Sequence, residues 1–374
     1  MKNSEKPKIA VLCSGLDSKL RGYEAHQRSL FENLKNEKCD VVLFKRTGKR
    51  IKNSEVPLKT PSESSFISKI VSFFYEDPNQ LQKAFFSVAF VIYTIIFKKE
   101  FDYLLIIEPG VARVIKRIRK LLLKNPVILY THGIGNGPEY YFNLCDQVIE
   151  VNEPAFLKAK HYACKLESSP KLHCIPHFVD KIYENQSERD STTINTIKNE
   201  FGILTKHVAV HVGLVCKNPK NVDYILQEIE QLPDEWSLLL VGEVKDKELL
   251  GIGNSKLGAR FIHITLPRQE VWKAYVVSDV MVFASINEGF GMVIIESLSS
   301  GLPVLLPDIP LYRWITNSDE NSLYELKTNR LSSALKDRVL DAGLVAKQKA
   351  FGKELVEKNY TWDSVRERYL SLLE

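Results

Sequence analysis

Short runs rich in β-branched residues recur along this chain, and almost every one is followed by a stretch with apolar residues at helical spacing. In the first half the runs cover residues 8–12, 40–44, 103–107, 126–130, 147–151 and 172–175. In the second they cover 208–212, 237–241, 260–264, 280–283 and 303–306. Several are apolar throughout instead of alternating, which is the pattern of strands buried on both faces. Intervening segments such as 27–36 and 222–231 carry the period of amphipathic helices. Strand–helix alternation of this kind predicts parallel sheets covered on both sides, the doubly wound α/β class. A chain of 374 residues has room for two such domains.

The expected break is residues 185–200, a polar stretch almost without large apolar side chains. It divides the chain into an N-terminal domain over 1–184, a linker over 185–200, a C-terminal domain over 201–358 and a closing segment over 359–374. In doubly wound sheets ligands bind beyond the carboxyl ends of the strands. A site is therefore expected in the loops after Leu12, Tyr130, Val212 and Phe283, lining a cleft between the domains.

Other function classes drop out. The six cysteines lie far apart with no Cys-x-x-Cys pair, which argues against metal knuckles or a disulfide scaffold and for the reduced thiols of a cytosol. No signal-peptide core follows Met1, and the longest uncharged apolar stretch, 84–97, falls short of the ~20 residues of a spanning helix. A soluble, cytoplasmic protein is expected. The net charge of +5 hides a division: residues 1–183 carry 29 Lys+Arg against 19 Asp+Glu, and the remainder carries 22 against 27. The first half is expected to meet something anionic, such as an acidic membrane surface or a phosphate-bearing acceptor. No nucleic-acid recognition motif accompanies the charge. Within it, residues 110–124 place Val111, Val114, Ile115, Ile118 and Leu122 on one helical face amid six Lys and Arg. That pattern suits either a sheet-covering helix with a solvated basic side or a helix lying on a membrane.

The most informative stretch is 284–304. A strand runs into Asn287-Glu288-Gly289-Phe290-Gly291, then into a helix containing Glu296 and ending at Gly301-Leu302-Pro303-Val304. Gly289 and Gly291 leave backbone N–H groups uncovered at a helix start, where the dipole favours an anion. Glu296 lies about five residues into the helix, roughly 7–8 Å along its axis. That is about the span from a diphosphate to the ribose of a nucleotide. A carboxylate there can accept from ribose hydroxyls, and Glu288, at the mouth, from a sugar beyond the diphosphate.

In this segment the chain resembles the GT-B nucleotide-sugar glycosyltransferases, in particular the retaining family 4, or group 1, type with its Glu-x7-Glu signature. The resemblance extends to residues 276–280 and 175–180 and to Thr361-Trp362. It implies two Rossmann-like domains facing across a cleft, and transfer of a sugar from a nucleoside diphosphate sugar to a glycan or lipid-linked hydroxyl, with retention, in cell-surface polysaccharide or glycolipid synthesis. It further implies that Glu296 holds the ribose and that Glu288 and the amides of Gly289, Phe290 and Gly291 contact donor sugar and diphosphate. His132, in Tyr130-Thr131-His132-Gly133, corresponds to the family's histidine near the transferred sugar. No metal or other cofactor is expected, and the first domain would take the acceptor, with a peripheral place on the cytoplasmic face of a membrane.

Two loops depart from the family pattern. Where it has Gly-Arg-x-x-x-x-Lys, this chain has Gly213-Leu214-Val215-Cys216-Lys217-Asn218-Pro219-Lys220. Leu214 removes a fork-shaped contact; Lys217 or Lys220 could supply a point charge on the diphosphate from the same loop, although a lysine beside a proline turn is by default a solvated loop residue. The family's glycine pair reads Arg21-Gly22, with Gly22 still allowing close backbone approach. The departures keep one alternative open, a relative that binds nucleotide or glycan without transfer. A dinucleotide oxidoreductase is disfavoured, because no Gly-x-Gly-x-x-Gly follows the first strand.

Overall fold

The computed structural model describes residues 6–16, 22–52, 54–61, 78–135, 137–184 and 190–374. Arg21 and the first five residues of the expected linker, 185–189, lie outside them. Two compact units are present: residues 1–175 with 367–374, and residues 176–366.

The first unit is built on seven parallel strands. These are β1 (Lys8–Leu12), β2 (Asp40–Lys45), β3 (Glu55–Pro57), β4 (Tyr103–Ile106), β5 (Val127–His132), β6 (Gln147–Glu150) and β7 (Lys171–Cys174), in spatial order β3-β2-β1-β4-β5-β6-β7. The second unit has six: β8 (His207–Val212), β9 (Trp236–Val241), β10 (Phe261–Ile264), β11 (Val280–Val282), β12 (Val304–Pro307) and β13 (Leu323–Tyr324), in order β10-β9-β8-β11-β12-β13. All eleven expected strands are present, within a residue or two at their ends. The central ones read as continuous apolar runs because both faces are covered: Ile9 to Leu12, Leu238 to Leu240 and Val280 to Val282 are fully buried. Each sheet reverses its winding once, between β1 and β4 in the first and between β8 and β11 in the second. Such a switch point opens a crevice at the strand ends.

Beside the expected boundaries, two differences stand out. The compact division falls at Ile175–Pro176, because residues 177–179 are anchored within the second unit. His177 packs on Phe290, Phe178 on Trp362, and the Val179 N–H donates to Tyr360 O at 2.7 Å. The expected linker is partly a helix, Ser191–Phe201, capped by Asp190, whose carboxylate accepts from Thr193 N–H, and closed by Gly202 in the left-handed region. Residues 367–374 group with the first unit, where Tyr369 Oη lies 3.3 Å from His26 Nε2.

The basic segment over 110–124 is a helix only over Pro109–Ile118, and its apolar face is spent on the fold: Val111, Ala112 and Ile115 are fully buried. It is a sheet-covering helix with a solvated basic side. Among the described residues no helix is long and apolar enough to cross a membrane.

Candidate functional site

In the second unit the crevice between β8 and β11 is formed by the loops that leave those strands. After β8 the chain turns at Gly213 (φ +146°), and after β9 at Gly242 (φ +148°). A Cβ on Gly242 would stand 2.0 Å from the Gly213 carbonyl oxygen, so the two turns can pass only as glycine. The β8 loop ends at Asn221, whose Nδ2 donates to Ala284 O at 2.8 Å and so ties it to the loop after β11. That second loop is fixed from beneath: Tyr324 Oη donates to Phe283 O at 2.8 Å and Tyr312 Oη to Ser285 O at 2.7 Å. These buried hydroxyls, one from β13 and one from the helix Pro310–Ile315, hold the second loop, and Asn221 ties the first to it.

Charged groups then meet across this frame. Lys220 Nζ is paired with Glu288 Oε1 and lies 5.0 Å over the Phe283 ring. Both side chains are more than four-fifths buried. Gly291 (φ +87°) caps the helix Met292–Ser299, whose first turn therefore opens beside this pair. The structure separates the two lysines expected here. Lys220 faces Glu288, whereas Lys217 is turned to the surface, where its ammonium pairs with Glu248 at 2.9 Å. The side chain of Phe290 is buried among His177, Trp314 and Tyr360 as a packing anchor, so that only its amide is a candidate for the site. Leu214 is partly exposed.

Glu296 is almost wholly buried and already held. Arg268 donates to its Oε1 at 2.9 Å and Tyr275 Oη to its Oε2 at 3.0 Å. A carboxylate has about four acceptor positions, so capacity remains for a diol. Burial works against the Arg268 charge, but the adjoining Glu296 outweighs it and keeps the guanidinium protonated. Burial pushes the Tyr275 hydroxyl well above its ordinary value, so it stays a donor. Arg268 was missed from sequence because it lies 28 residues before its partner, in a turn without a motif.

His211 is a second residue that the sequence signalled only as one polar side chain in the apolar run of β8. Its Nδ1–H donates to Val282 O at 3.3 Å, and its Nε2, with no hydrogen-bond partner, faces the Gly213 turn. Burial, with Lys220 adding to it, pushes this imidazole down to about 4, and burial alone pushes His177 down to about 3. Both are neutral in the fold. On unfolding each regains an ordinary value near 6.5, so between those limits the unfolded chain binds more protons and stability falls as pH falls. At pH 5 the cost should reach about 2 kcal/mol per histidine. Denaturant midpoints should therefore drop between pH 7 and pH 5, and His211→Asn, which keeps a donor at the Nδ1 position, should flatten that drop. An unchanged slope in the variant would refute the neutral buried form.

In the first unit His132 ends β5 and Glu150 ends β6, and the two are register partners on adjacent parallel strands. His132 Nδ1 is 2.8 Å from Glu150 Oε2, and Tyr141 Oη donates to Glu150 Oε1 at 2.5 Å. The imidazole stacks on the Tyr141 ring at 4.2 Å, and its Nε2 has no hydrogen-bond partner. The fully buried carboxylate accepts from Nδ1–H, an arrangement that in the neutral ring puts the lone pair on Nε2. Gly22 is the first residue of the helix Gly22–Lys35. At the β1/β4 switch point, Ser14 N–H and Oγ donate to Glu108 at 2.6 and 2.7 Å. Among the described residues no group of three or more His, Cys, Asp or Glu is placed to hold a metal ion.

Two doubly wound units with these switch points define the GT-B architecture. Over 98% of both chains the structure superposes on a sucrose-phosphate synthase from Thermosynechococcus elongatus (TM-score 0.77, 16% identity). It matches Anabaena HepE, crystallised with UDP and glucose, over 98% of this chain and 99% of that one (TM-score 0.75, 13% identity). At those identities the likeness is one of fold. Residues 206–341, which hold Lys220, Glu288 and Glu296, match the model of the glycosyl transferases group 1 family. Among curated relatives, a D-inositol 3-phosphate glycosyltransferase from Xylanimonas cellulosilytica is 23% identical over 161 residues, 41% of this chain and 39% of that protein. A sulfoquinovosyl transferase from Arabidopsis thaliana is 33% identical over 110 residues, 28% of this chain and 21% of that one. The chain thus matches well under half the length of these two relatives.

Proposed function

We propose that the protein is a retaining glycosyltransferase that moves a sugar from a nucleoside diphosphate sugar to a hydroxyl of a glycan or lipid-linked acceptor. The observation that carries this reading is the meeting of Lys220, Glu288 and a glycine-capped helix start at the β8/β11 switch point. In such a transfer the anomeric C–O bond to the diphosphate breaks, and the leaving group gathers negative charge as positive charge grows at the anomeric carbon. The Lys220 ammonium and the N–H groups at the helix start stabilise that charge, and because they are fixed beforehand they need no reorganisation. The acceptor oxygen bonds the anomeric carbon while its proton passes to the leaving phosphate on the same face. This account needs neither a metal ion nor a separate general base. Glu288 orients the sugar hydroxyls and Glu296 the ribose. His132 would contact the transferred sugar. The donor classes in view come from the relatives: two act on sugars by name, and HepE was crystallised with UDP and glucose.

One observation favours a second reading, a binder without transfer: Leu214 supplies no charge where the pattern that this loop resembles has arginine. Thermal shift against UDP-, GDP- and ADP-sugars, followed by assay of sugar transfer, separates the two. Saturating donor at a hundred times its Kd should add about 2.7 kcal/mol of apparent stability. Glu296→Ala should lower the melting temperature of the free protein, since it leaves Arg268 without its partner, and should abolish the increment on adding nucleotide. A full increment in that variant would remove Glu296 from the ribose.

A further inference from the structure

We propose that the outward face of the helix Pro78–Ile96 is a docking surface for an anionic lipid bilayer, a proposal that rests on the lipid-linked acceptor of the reading above. The helix is inverted relative to an ordinary surface helix. Its inward face buries Phe86, Phe90 and Val91, but also Ser87 and Thr94, both fully buried, whose hydroxyls turn back to Lys83 O at 2.8 Å and Val91 O at 2.7 Å. Outward, where charged side chains belong, stand Val88, Ile92, Ile95 and Ile96, between 44% and 65% exposed, followed by Phe97 at 52%. Every exposed residue between 84 and 97 is apolar. Core hydroxyls satisfied by their own helix leave the β-branched residues free for another medium.

The rim of this patch is basic. Lys98 and Lys99, both exposed, follow Phe97 directly. Tyr93 packs against Phe97 with ring centroids 4.5 Å apart, and Arg50 donates to Tyr93 Oη at 3.5 Å. The exposed Leu121 and Leu123 come to the same end of the sheet with Lys120 and Lys124, because Lys124 is paired with Asp102, at the start of β4. Glu100 is the one carboxylate in residues 84–101. Apolar patches of this kind are uncommon on soluble monomers. An apolar stripe edged with lysine and arginine matches the boundary of an anionic leaflet, where acyl chains lie beneath a negative surface. A second copy of the chain fits less well, since the same face would bring mainly further cations to the basic rim.

The test is sedimentation of the full chain with vesicles of phosphatidylcholine alone or mixed with phosphatidylglycerol. The wild type should sediment with the mixed vesicles only and be released by salt. Ile92→Ser/Ile96→Ser should bind them at least about tenfold more weakly, and Lys98→Glu/Lys99→Glu should lose the preference for phosphatidylglycerol. Equal vesicle binding in the serine variant, or none in the wild type, would overturn the proposal. So would a wild-type dimer that the serine variant converts to monomer without change in vesicle binding. The nucleotide-induced thermal shift, measured on the same samples, should be equal in all three proteins. A shift without vesicle binding removes the docking surface alone, and vesicle binding without a shift removes the donor reading alone.

Discussion

Lys220→Ala is expected to reduce sugar transfer by about two to three orders of magnitude, the usual cost of removing one preorganised donor from a developing anion. Leu214 provides no guanidinium, and Lys217 is committed to Glu248. In the proposed transfer the point charge on the leaving diphosphate would therefore rest on Lys220, which faces the site beside Glu288. The loss should fall mainly on kcat, because the charge grows as the bond breaks. Removing Lys220 also leaves the mostly buried Glu288 without its cation, so some loss of donor affinity should accompany it. Lys220→Arg should recover part of the rate, since it restores charge but not the compact ammonium that fits over the Phe283 ring. Glu288→Gln provides the contrast: nucleotide binding close to the wild type, with transfer largely lost. Turnover within a factor of about three of wild type in Lys220→Ala would rule this lysine out of leaving-group stabilisation.

That both lysines were candidates from sequence, and only one faces the site, marks where sequence reasoning stops. Strands buried on both faces announce themselves, because a continuous apolar run has few other uses; parallel sheets covered on both sides then follow from the alternation. Two of the edge strands, β3 and β13, do not. β13 pairs through only two residues, and β3 carries Glu55, which is buried against Lys45 and Arg28, each at 2.6 Å. No periodicity reports an ion pair that closes a sheet edge. In the site, Glu288, Glu296 and the glycines were legible because one short helix carries them at fixed spacing. Lys220 was distinguished from Lys217 by loop geometry alone, through the left-handed Asn221 and its bond to Ala284 O. Arg268 and Glu150 were illegible for a related reason, since each meets its partner through tertiary folding.

Glu150 therefore allows the expectation for His132 to be sharpened. The carboxylate is fully buried, accepts from Tyr141 and His132, and fixes the imidazole with its lone pair on Nε2. Glu150→Ala frees the ring to rotate and to change tautomer, and leaves the Tyr141 hydroxyl buried without its acceptor. Transfer should fall about a hundredfold, the scale of losing a partner that orients a functional histidine. The nucleotide-induced thermal shift should stay at its wild-type size, because the groups assigned to the nucleotide belong to the second unit. Glu150→Gln keeps an acceptor for Nδ1–H and should recover part of the rate. A merely structural carboxylate would lower stability in both variants without separating kcat from donor binding. If Glu150→Ala melts earlier yet transfers sugar at the wild-type rate while folded, the histidine needs no such orientation and its role at the transferred sugar falls.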